Sequence, residues 1–164
     1  MNKEEIIKAK KELKEYKYNK ILIQYKIKDL EQKKLTINKL TSTYNNSIGS
    51  SSNKIQDKFA EDLVELLDIQ KEIEEEVENL KEKNKKVENK INSIEQPYRN
   101  ILYFRYIKGK SLTDISNIIG KHYDYTRKLH KKALIKYLEI CYIWNLENLL
   151  KNFKLVHKKT GQDR

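Results

Sequence analysis

A row of basic side chains lies on one side of a predicted helix that begins at about Tyr123 and reaches Tyr137. The opposite, inward side carries mostly apolar residues at helical spacing, and its members are Thr126, Leu129, Ala133, Leu134 and Tyr137. The outward side, called the basic row below, comprises Arg127, Lys128, Lys131, Lys132 and Lys136. Cationic groups on one helix face bind the phosphates of a nucleic acid. We therefore expect the basic row to face DNA.

The net charge of the chain, +11, is unevenly distributed. From Pro97 to the end, fifteen Lys and Arg stand against five Asp and Glu, whereas the first 96 residues hold twenty against nineteen. A basic region beside a nearly neutral one is what electrostatic attraction to phosphate requires. The simpler alternative is a solvated charged surface, and the coincidence of the excess charge with the basic row argues against it.

Two short helices with tight breaks are predicted before this helix. Pro97 suits the first turn of a helix whose apolar run ends at Gly109. Ser111 and Asp114 have the spacing of a capping box that opens the second helix, and Gly120 suits the left-handed residue that closes it. The inner face of the second helix is predicted to hold Leu112, Ile115, Ile118 and Ile119. Three short helices in this order are typical of a helix-turn-helix, which sets its last helix into the DNA major groove.

Residues 96–137 resemble region 4 of the sigma-70 family. The matching features follow in order: the pair Arg105 and Tyr106, the turn 108–110, the helix 111–116, Gly120, and the basic helix 127–134. A longer resemblance, over roughly residues 10 to 138, is to small phage-encoded regulators that join such a module to a preceding coiled coil. In those regulators the recognition helix ends in His-Lys-Lys-Ala-Leu, which is residues 130–134 here.

The resemblance implies roles for individual residues. The positions that contact bases or adjacent phosphates in the promoter are Tyr123, Asp124, Tyr125, Arg127 and Lys128. The positions that hold the DNA backbone are Lys108, Lys110, Lys121, Lys131, Lys132 and Lys136. A carboxylate such as that of Asp124 can accept from a cytosine amine, and Arg127 can bind a guanine or a phosphate.

Three residues depart from the family pattern. Tyr123 and Tyr125 stand where primary sigma factors often have arginines, and His122 replaces the usual Ser or Thr cap. These differences argue against the standard promoter hexamer as the target. The tyrosines could pack on a thymine methyl or contact phosphate; the alternative for one of them is packing within the module.

The first 95 residues predict a coiled-coil hairpin. Apolar residues follow a heptad seam over residues 2–40 and again over 55–92, and the polar segment 41–54 between them reads as a flexible connection. In an antiparallel hairpin with that turn, paired residue numbers sum to about 95, which would bring Glu75 near Lys20 and Glu78 near Lys17. The alternative for the acidic run around Glu75 is a solvated helix face.

The segment after Tyr137 predicts one more helix with a basic tail that frays over residues 157–164. We expect its apolar residues to pack within the protein, with a second copy or a polymerase contact as alternatives. They are Leu138, Cys141, Tyr142, Trp144, Leu149, Leu150 and Phe153. The predicted fold is thus all-α: a hairpin over 1–95 (loop about 41–54), a helix-turn-helix over 96–137, and a C-terminal helix and tail over 138–164.

Enzymatic function is not expected. The single Cys141 has no Cys partner, the three histidines lack ligand spacing, and no nucleophile-base pair or phosphate loop is present, so neither a metal nor a cofactor is predicted. There is no run of eighteen apolar residues and no signal peptide, so we expect the protein in the cytoplasm of a bacterial host, away from the membrane.

The expected function is that of a sequence-specific DNA-binding transcriptional regulator of phage or prophage origin, acting as an activator at phage promoters. Double-stranded DNA is the expected partner, with bacterial RNA polymerase and a homo-oligomer through the coiled coil or C-terminal helix as further candidates. A complete sigma factor is not expected, because residues 1–95 lack a promoter-melting region. The alternatives are a small terminase subunit that marks phage DNA for packaging, and a coiled-coil interaction protein.

Overall fold

The computed structural model describes residues 3–47 and 53–160. Within these ranges the chain forms helices joined by short turns, with no strand, so the all-α prediction is confirmed. No helix of the described chain is both long enough and apolar enough to cross a membrane. The elements are α1 (Lys3–Ser47), α2 (Asn53–Asn92), α3 (Tyr98–Leu102), a π-helical turn (Tyr103–Ile107), α4 (Leu112–Ile118) and α5 (Tyr123–Thr160).

The two long helices extend further toward each other than predicted. Helix α1 ends at Ser47 rather than at residue 40, and α2 begins at Asn53, so most of the predicted loop 41–54 is helical. The polar residues tolerate the helix because the hydroxyls of Thr41 and Thr43 donate to carbonyls one turn back. Residues 48–52, the rest of the predicted connection, lie outside the described residues.

The chain divides into two compact units. One is Tyr18–Asn84, here called the hairpin unit; the other, called the core unit, consists of Met1–Lys17 and Lys85–Arg164. The predicted domain boundary between residues 95 and 96 differs from this division, because the starting turns of α1 and the last turns of α2 share one hydrophobic core with α3, α4 and α5.

Within the hairpin unit, α1 and α2 run antiparallel as predicted, but in a different register. Lys26 bonds to Glu76, Lys34 Nζ lies 3.2 Å from Glu74 Oε1, and the amides of Asn19 and Asn84 join at 3.2 Å. The rings of Tyr44 and Phe59 stack with their centroids 4.5 Å apart. The paired numbers sum to between 102 and 108 instead of about 95.

The predicted neighbours Glu75–Lys20 and Glu78–Lys17 are therefore wrong. The error follows from the helix end, because α1 continues to Ser47 and moves the turn toward higher residue numbers. The expected opposition of charge persists in the pairs Lys26–Glu76 and Lys34–Glu74. Such exposed pairs are each worth about 0.2 to 1 kcal/mol, so they favour the register more than they stabilise the unit.

All six elements contribute to the hydrophobic centre of the core unit. Its buried side chains are Ala9, Leu13 and Tyr16 of α1; Val87 and Ile91 of α2; Ile94 in the following turn; Ile101 and Leu102 of α3; Tyr106; Ile115 of α4; and Leu129, Ala133, Leu134, Tyr137 and Leu138 of α5. The five inward residues predicted for the start of α5, including Thr126, are all buried, which confirms that prediction.

Local signals set the ends of α4. The Ser111 hydroxyl accepts from the Asp114 N–H at 3.0 Å, and the Asp114 carboxylate accepts from the Ser111 N–H at 3.0 Å, which confirms the capping box. Gly120 has φ +62 at the end of the helix, as predicted. Ile118, in contrast, is exposed, and the buried position belongs to Ser116. The helical stripe that starts at residue 112 continues at residues 115, 116 and 119, which are three, four and seven positions further on, and leaves out Ile118.

Helix α5 differs more from its prediction than the other helices do. The expected break after Tyr137 is absent, and one helix of 38 residues runs from Tyr123 to Thr160, or about 57 Å at the usual rise per residue. No glycine or proline interrupts this stretch. The helix therefore enters the tail predicted to fray, of which residues 161–164 lie outside the described residues.

Candidate nucleic-acid interface

The start of α5 is capped by a histidine. The backbone N–H of Asp124 donates to Nδ1 of His122 at 3.3 Å, where a Ser or Thr hydroxyl would ordinarily accept. Thr126 donates both its backbone N–H and its hydroxyl to the His122 carbonyl, at 3.1 and 3.2 Å. An imidazole thus stands in the place of a Ser or Thr cap and satisfies an otherwise unpaired N–H group.

Hydrogen bonds join the turn before α4 to the preceding helical segment. The backbone forms a π-helical turn over Tyr103–Ile107 and does not continue as an α-helix toward Gly109. Arg105 Nη1 donates to the Lys110 carbonyl at 2.8 Å, and the Lys110 N–H donates to the Phe104 carbonyl at 2.9 Å. Because Gly109 has φ +69, the chain can reverse there without the strain that a side chain would add.

A tyrosine-histidine pair holds the π turn against α5. Tyr106 Oη lies 3.1 Å from His130 Nε2, and the two rings stack with centroids 5.8 Å apart. Burial, aided by the positive charges of Lys10 and Arg105, lowers the pKa of His130 to about 4. His130 is therefore neutral at pH 7 and adds no charge to the basic row beside it. Sequence reasoning assigned it no structural role, although its partner Tyr106 was part of the matched pattern.

The five predicted base-contacting residues occupy the first two turns of α5, and all five are exposed. Tyr123 and Tyr125 are 44% and 50% exposed, so the alternative that one of them packs within the module is wrong. Their neighbours Thr126 and Leu129 point inward and are buried. One side of the helix is thus buried in the core. The other side carries aromatic, acidic and basic groups and is exposed to solvent.

Asp124 and Arg127 form an ion pair one helical turn apart. Arg127 Nη2 lies 3.5 Å from Asp124 Oδ1, and His122 Nδ1 lies 3.9 Å from the other carboxylate oxygen. An exposed pair of this kind contributes only about 0.3 to 0.5 kcal/mol, so it can open at little cost when either group meets a base. The spacing of three residues could have indicated this pair from the sequence.

The predicted backbone-contacting lysines surround this surface. Lys110 and Lys121 are exposed on the turns that flank α4, and Lys131 and Lys132 are exposed on the third turn of α5. Lys108 is also exposed, and its Nζ lies 5.5 Å from the centroid of the Tyr103 ring. Among the described residues, Lys121, Lys128, Lys131 and Lys132 make no ion pair within 4 Å.

Lys136 differs from the other members of the basic row. It is half-buried, and its Nζ lies 3.0 Å from Glu139 Oε2 and 3.9 Å from Glu95 Oε1. The hydrogen bond to Glu139 holds the pKa of Lys136 above its usual value. Its ammonium is already matched by two carboxylates, so a phosphate would have to displace them.

Comparison with known proteins identifies no relative. The chain matches no family model, and no curated protein and no solved structure is similar to it. The resemblance to region 4 therefore depends on the residues quoted for it and on no overall match. The described residues also contain no group of three or more His, Cys, Asp or Glu side chains that could hold a metal ion.

The surface at the start of α5 presents hydrogen-bond donors, a hydrogen-bond acceptor and aromatic rings at one end of the helix. Guanidinium and carboxylate groups can pair with base edges in the major groove, and lysines on both sides can neutralise phosphates. A helix of this width fits the major groove of B-form DNA. The arrangement suits a duplex better than a small ligand, because its functional groups lie on a convex helix surface.

Proposed function

We propose that this protein is a sequence-specific DNA-binding transcriptional regulator of phage or prophage origin, acting in the cytoplasm of a bacterial host. In this proposal α4 and α5 form a helix-turn-helix, and the start of α5 enters the major groove. The residues that contact base edges or adjacent phosphates there are Tyr123, Asp124, Tyr125, Arg127 and Lys128. The DNA is double-stranded and the site is a phage promoter, with bacterial RNA polymerase as a second partner.

The observation that carries the proposal is the division of α5 into two sides over its first four turns. The inward side is buried in the core unit, so the helix is held in one orientation. The outward side presents the five base-contacting residues together with the basic row. A rigid helix with a polar outer side is what direct contact with base edges requires, because small displacements of the helix would misplace every side chain.

Charge supports the same assignment. The excess of basic over acidic residues belongs to the part of the chain after residue 96. Lysines on the two turns flanking α4 and on α5 can bind phosphates on both sides of a groove. If about six phosphates are neutralised, the logarithm of the affinity should fall against the logarithm of salt concentration with a slope of about −5.

Selection of bound duplexes from a random DNA pool tests the proposal. We expect the wild-type chain to recover one defined sequence and Arg127→Ala/Lys128→Ala to lose it. The matched control is Lys28→Ala/Lys39→Ala, which removes two exposed positive charges from the hairpin unit and should recover the same sequence as the wild type. Equal enrichment by all three chains, or no preferred sequence from the wild type, would contradict the proposal.

The position of the recovered sequence separates the regulator from the packaging alternative. A site next to a transcription start supports a promoter-bound activator. A site remote from any promoter and tied to DNA packaging would instead support a small terminase subunit. Transcription in the presence of purified polymerase then shows whether the bound protein raises or lowers the rate.

A further inference from the structure

The last part of α5 exposes an apolar face. Over residues 142–153, called the arm, six apolar side chains are between 49% and 65% exposed. They are Tyr142, Ile143, Leu146, Leu149, Leu150 and Phe153. The arm contains two charged residues, Glu147 and Lys151, and helical spacing places both on the side opposite the Leu146–Leu149 edge. The prediction that this segment packs within the protein is wrong for Leu149 and Leu150, which are 65% and 62% exposed. Tyr142, in contrast, donates its hydroxyl to Glu5 of α1.

The spacing of these residues is that of a helix-pairing seam. Tyr142, Leu146, Leu149 and Phe153 follow one another in steps of four, three and four, which is the a/d pattern of a coiled coil. Ile143 and Leu150 lie one residue beyond seam positions and widen the face along one edge. The pattern reads the same in both directions. A second, antiparallel helix would therefore set Leu146 opposite Leu149 of the second copy and Tyr142 opposite its Phe153.

We infer that the arm is a docking surface for a second copy of this chain, whose arm packs on it in antiparallel orientation. Such a pairing has two-fold symmetry, in which the same patch is used on both copies. It also places Ile143 beside Leu150 of the second copy, so the widened edges coincide.

The exposed area is sufficient for a stable pair. From their exposed fractions, the six residues present roughly 700 Å² per copy, close to the ~800 Å² per partner that a standard specific interface buries. The centre of the patch is aliphatic and free of charge, as the centre of an interface usually is. A monomer that left this area in water would carry an apolar patch larger than those of most monomeric proteins.

Pairing through the arm leaves the candidate DNA surface open. Lys128 precedes Tyr142 by about 21 Å along the axis of α5, so the two surfaces occupy different parts of the helix. The pair would carry two copies of the surface formed by Tyr123, Asp124, Tyr125, Arg127 and Lys128. If the proposed function is right, the recovered DNA sequence should contain two inverted half-sites. The association itself does not depend on the proposed function and is measured without DNA.

The mass of the full chain in solution tests the inference. Sedimentation equilibrium of the wild type should give twice the chain mass of 19.7 kDa. Leu146→Lys/Leu149→Lys should raise the dissociation constant roughly a hundredfold or more, because two lysines would be desolvated at the centre of each arm. Helix content measured by circular dichroism should stay unchanged, since both positions are exposed in the single chain.

A matched control separates the arm from the hairpin unit. Leu35 and Leu67 are also exposed leucines, 60% and 46% in the hairpin unit, and Leu35→Lys/Leu67→Lys should remain dimeric. A monomeric wild type would overturn the inference, as would dissociation of the control to the same extent as the arm variant. A wild-type chain that is dimeric but shows no preferred DNA sequence would contradict the proposed function alone. The failure of the proposed function and the failure of the dimer are therefore distinguishable.

Thiol cross-linking tests the orientation. In a Cys141→Ser background, chains carrying Leu146→Cys are mixed with chains carrying Leu149→Cys and treated with a short thiol-to-thiol cross-linker. The antiparallel arrangement predicts more cross-linked product in the mixture than with either chain alone. Efficient linking of each chain to itself, without gain in the mixture, would show a parallel pair and overturn the proposed arrangement.

Discussion

The two ends of α5 belong to one helix and have opposite surfaces. At its start the apolar side is buried and the exposed side carries charged and aromatic residues. In the arm the apolar side is itself exposed, with six residues at about half exposure or more. One helix thus buries its apolar side in the core unit at its start and exposes apolar side chains near its other end.

The two ends of α5 also show that a sequence pattern does not distinguish a buried apolar residue from an exposed one. Leu134 is 1% exposed and Leu149 is 65% exposed, although both lie at helical spacing in the same helix. What differs is that Leu134 belongs to the hydrophobic cluster of the core unit, to which other helices also contribute, whereas Leu149 does not. The neighbours of a helix, rather than its own pattern, decide which apolar face stabilises the fold of a single chain.

The largest expected effect comes from making the same substitution at these two leucines. Leu134→Ala should lower the free energy of unfolding by about 2 to 5 kcal/mol, because it leaves a cavity in the core. Leu149→Ala should change it by no more than about 0.5 kcal/mol when the chain is dilute enough to be monomeric. Urea unfolding at submicromolar concentration measures both. Equal losses would contradict the contrast between the two ends.

A pH-dependent effect should follow from His130. The pKa is about 6.5 in the unfolded chain and about 4 in the folded one, so the unfolded state binds the proton more readily in between. The contribution to stability is complete above about pH 6.5 and is lost as the pH falls toward 4, on the order of 3 kcal/mol in total.

His130→Gln removes this titration while keeping a polar side chain. The difference in stability between wild type and variant should shrink over that interval, because the carboxylates titrate alike in both chains. Denaturant unfolding at pH 7, 5.5 and 4 measures the difference. A gap that stays constant between pH 7 and 4 would contradict the burial of a neutral imidazole beside Lys10, Arg105 and Tyr106.

Within the start of α5, two kinds of DNA contact should be distinguishable. Arg127→Ala should relax the preference at one base pair by about 1 to 3 kcal/mol, or roughly fivefold to 150-fold. Lys131→Ala should weaken all sequences alike and make the salt slope shallower by about one unit. Titrations of point-substituted duplexes at several salt concentrations measure both changes. Identical profiles for the two variants would show that Arg127 contacts only phosphate.

The smallest effect is expected at Lys136. Its ammonium is matched by Glu139 and Glu95, so Lys136→Ala should lower DNA affinity less than Lys131→Ala does, by about twofold or less. The two substitutions remove the same charge from the same helix. A loss as large as that of Lys131→Ala would mean that the two carboxylates release Lys136 on binding.

Features with local causes were predictable from the sequence. The capping box of Ser111 and Asp114 and the positive φ of Gly120 depend on a few neighbouring residues, and both are present. The buried side of the first turns of α5 follows from its spacing alone. The end of α1 at Ser47 was missed because Ser, Thr and Asn favour turns yet remain in a helix when their hydroxyls bond to the preceding turn and a packing partner is near.

Features with distant causes were not predictable. The hairpin register depends on where the turn lies, and an error of a few residues there shifts every pair across the helices, as with Glu76 and Lys26. One of the two carboxylates near the Lys136 ammonium belongs to Glu95, in the turn before α3. No local pattern within α5 indicates that neighbour. The exposure of the five predicted base-contacting residues, by contrast, followed from helix periodicity. What these residues bind is a proposal that neither periodicity nor geometry tests.

Affinity for the selected duplex, compared with a scrambled duplex near physiological salt, tests the central claim most directly. The account predicts that the wild type binds the selected site at least about a thousandfold more tightly than the scrambled one. It also predicts that Arg127→Ala/Lys128→Ala loses most of this ratio, while Lys28→Ala/Lys39→Ala keeps it. The same ratio in all three chains, or a wild-type ratio near one, would contradict the assignment of the start of α5 to sequence-specific DNA contact.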